Sequence, residues 1–189
     1  MRLNKGDEVK FPTKFGQFRL IPYSEGEKCH MALVAGNPED GALVRIHSEC
    51  LTGEALFSLR CDCREQLERS MQIIAEGRNG VLIYLRQEGR GIGLLNKMKA
   101  YSLQDKGMDT VEANHQLGFR ADERDYSAAV AILKDLGLKK IRLITNNPEK
   151  IKGLNGSIEV SERIPIVVQP NGHNKRYLDA KREKMGHEI

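Results

Sequence analysis

The stretch from Cys63 to Gly93, CREQLERSMQIIAEGRNGVLIYLRQEGRGIG, changes its hydrophobic period once, and that change decides the fold class. Leu67, Met71 and Ile74 recur at i, i+4 and i+7, the spacing of one helix face, and Gly77 reads as the stop. GVLIYLR, Gly80 to Arg86, follows as a short, mostly apolar run, the pattern of a buried strand. Working outward toward the N-terminus, KFGQFRLIPY, CHMALVAG and ALVRIHS read as strands, so the first third is strand-rich. Between the last two, NPEDG supplies Pro, Asp and Gly and predicts a hairpin-like connection. Toward the C-terminus, LLNKMKAYSLQDKG reads as a helix ending at Gly107, and DYSAAVAILKDLG as a helix with Ala129, Ile132, Leu133 and Leu136 on one face. KKIRLITNN returns to strand before the breaker Asn146-Asn147-Pro148. The alternation predicts an α/β fold: a mixed sheet with flanking helices.

No repeat or linker interrupts the pattern, so the 189 residues are expected to form a single domain, 1–189, with its chemistry between 45 and 150. The segment after Lys150 is poorer in pattern; YLDAKREKMG reads as a solvated, charge-laced helix, and the tail from about residue 170 is expected to be mobile. Thirty basic against 26 acidic residues give a net charge of +4 without a block of like charges, which argues against a nucleic-acid tail. With no tryptophan, five tyrosines and five phenylalanines, the chain lacks the aromatics of a single-strand stacking platform. It has no run of about 18 apolar residues, and charges stand where a signal peptide needs its apolar stretch. The expectation is a cytoplasmic protein with neither membrane nor nucleic acid as partner, whose four cysteines are thiols or metal ligands rather than disulfides.

Three of those cysteines cluster: Cys50, then ten residues, Cys61, one residue, Cys63. Thiolates at this spacing can converge on one metal. A closed structural site needs a fourth ligand, for which His47 and Cys29 are the candidates; an open, catalytic site keeps a position for water. Cys29 alone reads as a small buried hydrophobe on a strand. Directly before the first cysteine, Arg45, His47, Ser48 and Glu49 crowd the end of an apolar strand, a plausible active-site rim. RQEGRGIG, Arg86 to Gly93, joins glycines and arginines ahead of a helix in the logic of an anion loop, but has neither a Walker nor a dinucleotide spacing. FRADERD places Asp122, Glu123, Arg124 and Asp125 before a helix, either as capping charges or as a base beside a phosphate-binding arginine. ITNNPEK puts Thr145, Asn146 and Lys150 at a strand end, where ligands of α/β sheets gather.

Four motifs in order, RIHSECLTGEALFSLRCDC, RQEGRGIGLLNKMKAYSLQD, DTVEANHQLGFRADERDY and LITNNPEK, resemble GTP cyclohydrolase II. The resemblance implies zinc-dependent conversion of GTP to 2,5-diamino-6-(5-phosphoribosylamino)pyrimidin-4-one, with release of formate and pyrophosphate, as the first committed step of riboflavin biosynthesis. It implies a homodimer with one zinc ion per subunit and magnesium accompanying the triphosphate. By the same resemblance the zinc ligands are Cys50, Cys61 and Cys63. The GTP contacts fall on Arg45, Ile46, His47, Ser48, Glu49, Gln66, Glu88, Gly89, Arg90, Thr110, Thr145 and Lys150. Asp122 is the implied proton acceptor, Arg124 the implied nucleophile, and Tyr101 orients water or guanine.

The chemistry of the residues agrees with most of this. Three thiolates with an open position would supply hydroxide near neutral pH, and Arg45, Arg90, Arg124 and Lys150 complement a triphosphate. A guanidinium with a pKa above ~12 is a poor nucleophile, so an electrostatic role for Arg124 is the competing reading. Two alternatives stand beside the main one: a paralogue with a formylated product or another purine nucleotide, and a non-catalytic, zinc-stabilised nucleotide-binding module. Many relatives also carry a dihydroxybutanone phosphate synthase domain, for which 189 residues leave no room; that activity is expected to be absent.

Overall fold

A computed structural model describes residues 3–174 together with Leu178, Asp179, Arg182 and Gly186. Among these residues eight strands form one mixed sheet: β1 (Asn4–Lys5), β2 (Val9–Thr13), β3 (Gly16–Glu25), β4 (Lys28–Ala35), β5 (Ala42–Ser48), β6 (Gly80–Leu85), β7 (Lys140–Ile144) and β8 (Glu159–Ile164). The spatial order is β1-β3-β4-β6-β5-β7-β8, with β2 sharing the outer edge of β3. Pairing is antiparallel from β1 through β6 and parallel from β6 through β8, as expected of a mixed sheet.

The hairpin expected at NPEDG does not form. β4 and β5 are separated by β6, which runs antiparallel to β4, with Ala32 opposite Ile83, and parallel to β5, with Ile46 opposite Ile83. The reason lies in β6 itself: Val81, Leu82, Ile83 and Leu85 are all buried, so this strand needs cover on both faces and takes the centre of the sheet. The crossover from β5 to β6 passes through α1 (Leu51–Glu54) and α2 (Cys63–Gly77); α3 (Gly93–Gln104), α4 (Thr110–Gln116) and α5 (Ser127–Asp135) precede β7, and α6 (Pro148–Lys152) precedes β8.

Period-two alternation divides the core between two faces. Val34, Val44, Ile46, Val81 and Ile83 pack with Ala129, Ile132 and Leu133 of α5, with Leu136 against the same cluster as anticipated. Leu33, Leu43 and Leu82 pack on the other face with Ile74 of α2, flanked by Leu67 and Met71. Two terminus readings hold as element ends and are refined in detail. α2 does end at Gly77, where a Cβ would stand 2.9 Å from Leu43 Cδ1, but the left-handed cap falls on Arg78 at φ 51° and not on the glycine. The strand read before Asn146-Asn147-Pro148 does stop there, β7 ending at Ile144, and the same residues also start a helix: Asn147 accepts from Glu149 N at 3.0 Å and Pro148 occupies the first turn of α6. The helix expected over YLDAKREKMG lies largely outside the described residues. Among the described residues no helix is long and apolar enough to cross a membrane.

A left-handed backbone favours glycine over any side chain by about 1 kcal/mol. Arg78→Gly is therefore expected to raise the unfolding free energy by roughly that amount, read as a higher urea midpoint at unchanged slope.

Candidate active site

The carboxyl ends of the parallel strands β5, β6 and β7 open onto one cleft. Such strand ends are where open α/β sheets bind ligands. On β5 the face that packs against α2 carries Leu43, then Arg45, then His47, so one strand face turns from apolar to polar within five residues. The opposite face carries Ala42, Val44 and Ile46 into the core under α5. The cleft wall gathers Arg45, His47 and Ser48 from β5, Glu49 and Cys50 from the link to α1, Cys61 from just before α2 with Cys63 and Gln66 from its first turn, and Glu88, Gly89 and Arg90 from the turn after β6. Tyr101, Thr110, Arg124, Thr145 and Lys150 complete it, joined by Lys97, Asn114, Asn146 and Asn147. The motifs read separately along the chain thus meet in one place; of the expected residues Ile46 and Asp122 stand outside the wall.

Cys50, Cys61 and Cys63 bring their sulfurs within 4.8 Å of one another, and among the described residues neither His47 nor Cys29 joins this group. Cys29 is exposed on β4, which corrects its reading as a buried hydrophobe. The Cys50 and Cys61 sulfurs are 3.7 Å apart, too far for a disulfide of about 2.05 Å and close to the ~3.8 Å expected for two thiolates on a tetrahedral metal with ~2.3 Å bonds. The three sulfurs therefore fit a metal ion. Gly53 in α1 is required for their approach: a Cβ would stand 2.7 Å from Cys61 Sγ and 3.3 Å from Cys50 Sγ. The Cys50 thiol is held far below its ordinary pKa by hydrogen bonds from Cys61 and Cys63 and by the Lys97 ammonium. Cys61, donating to Cys50, is pushed up to about 11, and Cys63 is raised for the same reason.

Glu54, absent from the sequence reading, organises the floor. Its Oε1 accepts from His47 Nε2 at 2.7 Å and from the Cys50 amide at 3.0 Å, while Oε2 accepts from the Tyr84 hydroxyl. The His47 ring stacks on Tyr84 with centroids 5.8 Å apart. Burial pushes the His47 pKa down and outweighs the Glu54 contact, so the ring is neutral. With Nε2–H given to Glu54, the His47 Nδ1 lone pair is buried and unpartnered, as are Ser48 Oγ and Asn147 Nδ2. With Arg45 Nε, four orphaned polar atoms stand on this wall, open to the hydrogen bonds of a ligand. Glu54 lies inside RIHSECLTGE, but no spacing rule singles out a carboxylate four residues after a cysteine.

The cations are tethered. Arg45 is buried, donates to Ile144 O at 3.1 Å and Gln66 Oε1 at 2.6 Å, and keeps its charge at neutral pH although burial lowers its pKa to about 10. Gln66 in turn donates to Asp62. Lys150 donates to the Ile46 carbonyl at 2.6 Å, so Ile46 contributes its backbone while its side chain stays in the core. Arg90 takes a left-handed φ of 60° directly after Gly89, strain of the kind stored at functional sites. At Gly91 a Cβ would stand 2.9 Å from the Glu123 backbone, and Glu123 N donates to Arg90 O at 3.0 Å. The glycine spacing in this turn thus serves contact between two loops. Tyr101 lies under the Arg60 guanidinium, 4.3 Å from its ring centroid.

Asp122 grips Arg124 from outside the wall: Arg124 Nε donates to both carboxylate oxygens at 2.8 and 3.1 Å, and a second guanidinium nitrogen donates to Oδ2. Burial raises the Asp122 pKa, but the Arg124 bonds outweigh it and the carboxyl lies below its usual range. A group depressed in the folded state contributes stability above its unfolded pKa of ~3.9 and loses it as pH falls through the folded value. Asp122→Asn is therefore expected to cost about 2 kcal/mol at pH 7, with the difference from the parent vanishing in acid unfolding titrations below that window.

Residues 4–165 match the family model described as GTP cyclohydrolase II. The chain is 57% identical over 192 residues to the GTP cyclohydrolase-2 of Buchnera aphidicola subsp. Schizaphis graminum, covering 99% of this chain and 98% of that one. It is 53% identical over 193 residues to the GTP cyclohydrolase-2 of Shigella boydii, covering 99% and 98%. The riboflavin biosynthesis protein RibBA of Chlorobium phaeovibrioides is 53% identical over 187 residues, which is 96% of this chain and 46% of that protein; the chain spans less than half the length of such relatives. Among solved structures, RibBX, a two-domain 3,4-dihydroxy-2-butanone 4-phosphate synthase from A. baumannii, shares the fold with a TM-score of 0.52 at 22% identity, over 88% of this chain and 40% of that one. With a match running through almost every strand and helix that builds the cleft, the chain belongs to the GTP cyclohydrolase II family.

Proposed function

We propose that this chain hydrolyses GTP to 2,5-diamino-6-(5-phosphoribosylamino)pyrimidin-4-one, formate and pyrophosphate, opening riboflavin biosynthesis in the cytoplasm. The observation that carries this reading is the juxtaposition of a three-sulfur centre with four cationic side chains, Arg45, Arg90, Arg124 and Lys150, on one cleft wall. A purine whose C8 leaves as formate needs water at the ring, and a triphosphate that loses pyrophosphate needs positive charge at its other end. Zinc is the metal of choice for three thiolates; when bound by Cys50, Cys61 and Cys63 it supplies Lewis-acid activation of water near neutral pH. Magnesium would accompany the triphosphate.

The residues of the chain divide the remaining work. His47 Nδ1, Ser48 Oγ and Asn147 Nδ2 are buried polar atoms awaiting partners and meet the polar edges of the nucleotide. Glu54 holds His47 in the tautomer that leaves Nδ1 as an acceptor. Tyr101, on the same wall as the sulfurs, orients guanine or the attacking water. Arg124 stabilises charge at the transferring phosphate, and Asp122 fixes its guanidinium; a carboxylate held low by an arginine is a weak base, so this geometry favours electrostatic over covalent chemistry at Arg124. Gln66, Glu49, Glu88, Gly89, Thr110 and Thr145 belong to the same GTP-binding surface. We further infer a homodimer, for which the exposed Leu56, Phe57, Leu59 and Leu95 offer apolar surface.

Incubation of the purified protein with GTP should yield formate and pyrophosphate, and dialysis against a zinc chelator should abolish the formate. A formylated pyrimidine, or turnover of another purine nucleotide in preference to GTP, would instead identify a paralogue. Cys61→Ser should leave a folded protein without ring-opening activity; unfolding together with loss of activity would point to a structural metal. Arg124→Lys keeps the charge and is expected to retain measurable pyrophosphate release, lowered about 10²–10³-fold. Complete loss with the lysine would favour covalent chemistry at this position.

A further inference from the structure

Lys97 lies on α3, outside every residue assigned above to GTP or metal, and is buried to 8% of its accessible surface. A buried lysine needs partners for its charge. Its ammonium donates to Cys50 Sγ at 3.2 Å, to Thr52 Oγ1 at 2.8 Å and to Glu88 Oε1 at 2.8 Å, so all three of its N–H donors are used. An ordinary buried ion pair would stop at Glu88. This ammonium reaches past the carboxylate to sulfur, and the residues around it hold it there. Glu88 also accepts from the Gly89 amide at 2.7 Å and the Leu51 amide at 2.6 Å, tying the turn after β6 to the first residue of α1. A Cβ at Gly89 would stand 3.2 Å from Lys97 Cβ, so the turn packs directly on the lysine stem.

Three thiolates and one divalent cation sum to a single net negative charge in a largely buried site. Lys97 Nζ stands at hydrogen-bond distance from one of those sulfurs. We propose that Lys97 is the charge partner of the metal centre, a positioning residue whose ammonium neutralises the metal–thiolate cluster and restrains electron donation from Cys50. The inference rests on the reading of Cys50, Cys61 and Cys63 as a metal site and adds a residue that acts through them. Outer partners of metal ligands typically change affinity or activity by about 10–100-fold when removed. Withdrawing the ammonium leaves an uncompensated negative centre away from water, which weakens metal binding. It also raises the energy of the sulfur lone pairs, which moves thiolate-to-metal charge transfer to longer wavelength.

The test uses the full chain loaded with cobalt(II) or zinc(II), comparing the parent with Lys97→Met, Lys97→Gln and Lys97→Arg. Metal affinity is read by competition with a chromophoric chelator, thiolate–cobalt charge transfer by absorption, and folding by circular dichroism and urea titration. The parent should bind one metal per chain. Lys97→Met and Lys97→Gln should fold, bind about 10–100-fold more weakly and show red-shifted charge-transfer bands, while Lys97→Arg should restore both readouts toward the parent. Parent-like affinity and an unshifted spectrum in the neutral variants would overturn the role of Lys97 alone. Failure of both neutral variants to fold, with Lys97→Arg folded, would also overturn it, since the charge then serves the fold. A parent chain that binds no metal would sink the metal reading of the site itself.

Discussion

Three sulfur atoms within 4.8 Å of one another beside a buried strand end, with Cys50 held as thiolate by the other two and by the Lys97 ammonium, form a polar centre that the fold must satisfy, and the groups around it answer to that constraint. Gly53 is small enough to let the sulfurs meet, and Glu54, one residue on, caps the Cys50 amide and turns His47. Lys97 crosses from α3 to face the cluster, and Glu88 ties that lysine to the turn after β6. Each of these groups has its partners within the chain, so the centre is organised before any ligand arrives. Preorganisation of this sort lets a site act on charge without first rearranging its own dipoles.

The cationic side of the cleft follows the same logic by other means. Arg45 is anchored to a backbone carbonyl and to Gln66, Lys150 to the carbonyl of Ile46, and Arg124 to Asp122. None of these cations waves in solvent, so little side-chain freedom would be lost on meeting the phosphate oxygens of the proposed substrate. The backbone at Arg90 is set by consecutive left-handed residues whose loop is clamped to Glu123. The sheet makes the meeting possible: β5, β6 and β7 run parallel, so the segments leaving their carboxyl ends arrive on one side.

Local periodicity was enough to read α2, α5 and β6, because each buries one helix face or a whole strand and so writes a strong apolar pattern. It was not enough for β2, VKFPT, or β8, EVSERI, whose residues are largely exposed and leave no such pattern. α1 is four residues long, too short to show a period at all. The connection at NPEDG was misread because turn chemistry reports only on the local bend, whereas the partner of a strand is chosen by the burial it needs. At Gly77 and Arg78 the competing demand was packing: the glycine was needed against Leu43, and the cap moved on by one residue.

The sequence by itself determined the fold class, the three clustered thiols and the motifs that bring arginines, lysine and carboxylates to strand ends, because residue type and spacing are properties of the chain. Only the tertiary structure decided which of those groups work together. It placed Ile46 in the core with its carbonyl on Lys150, put Asp122 behind Arg124 rather than in the cleft, left Cys29 exposed on β4, and brought Glu54 and Lys97 to the sulfurs. The physical reason is range. A thiolate, an ammonium and a carboxylate interact over a few ångströms of space, and the sequence separations between Cys50, Glu88 and Lys97 carry no trace of the packing that closes them.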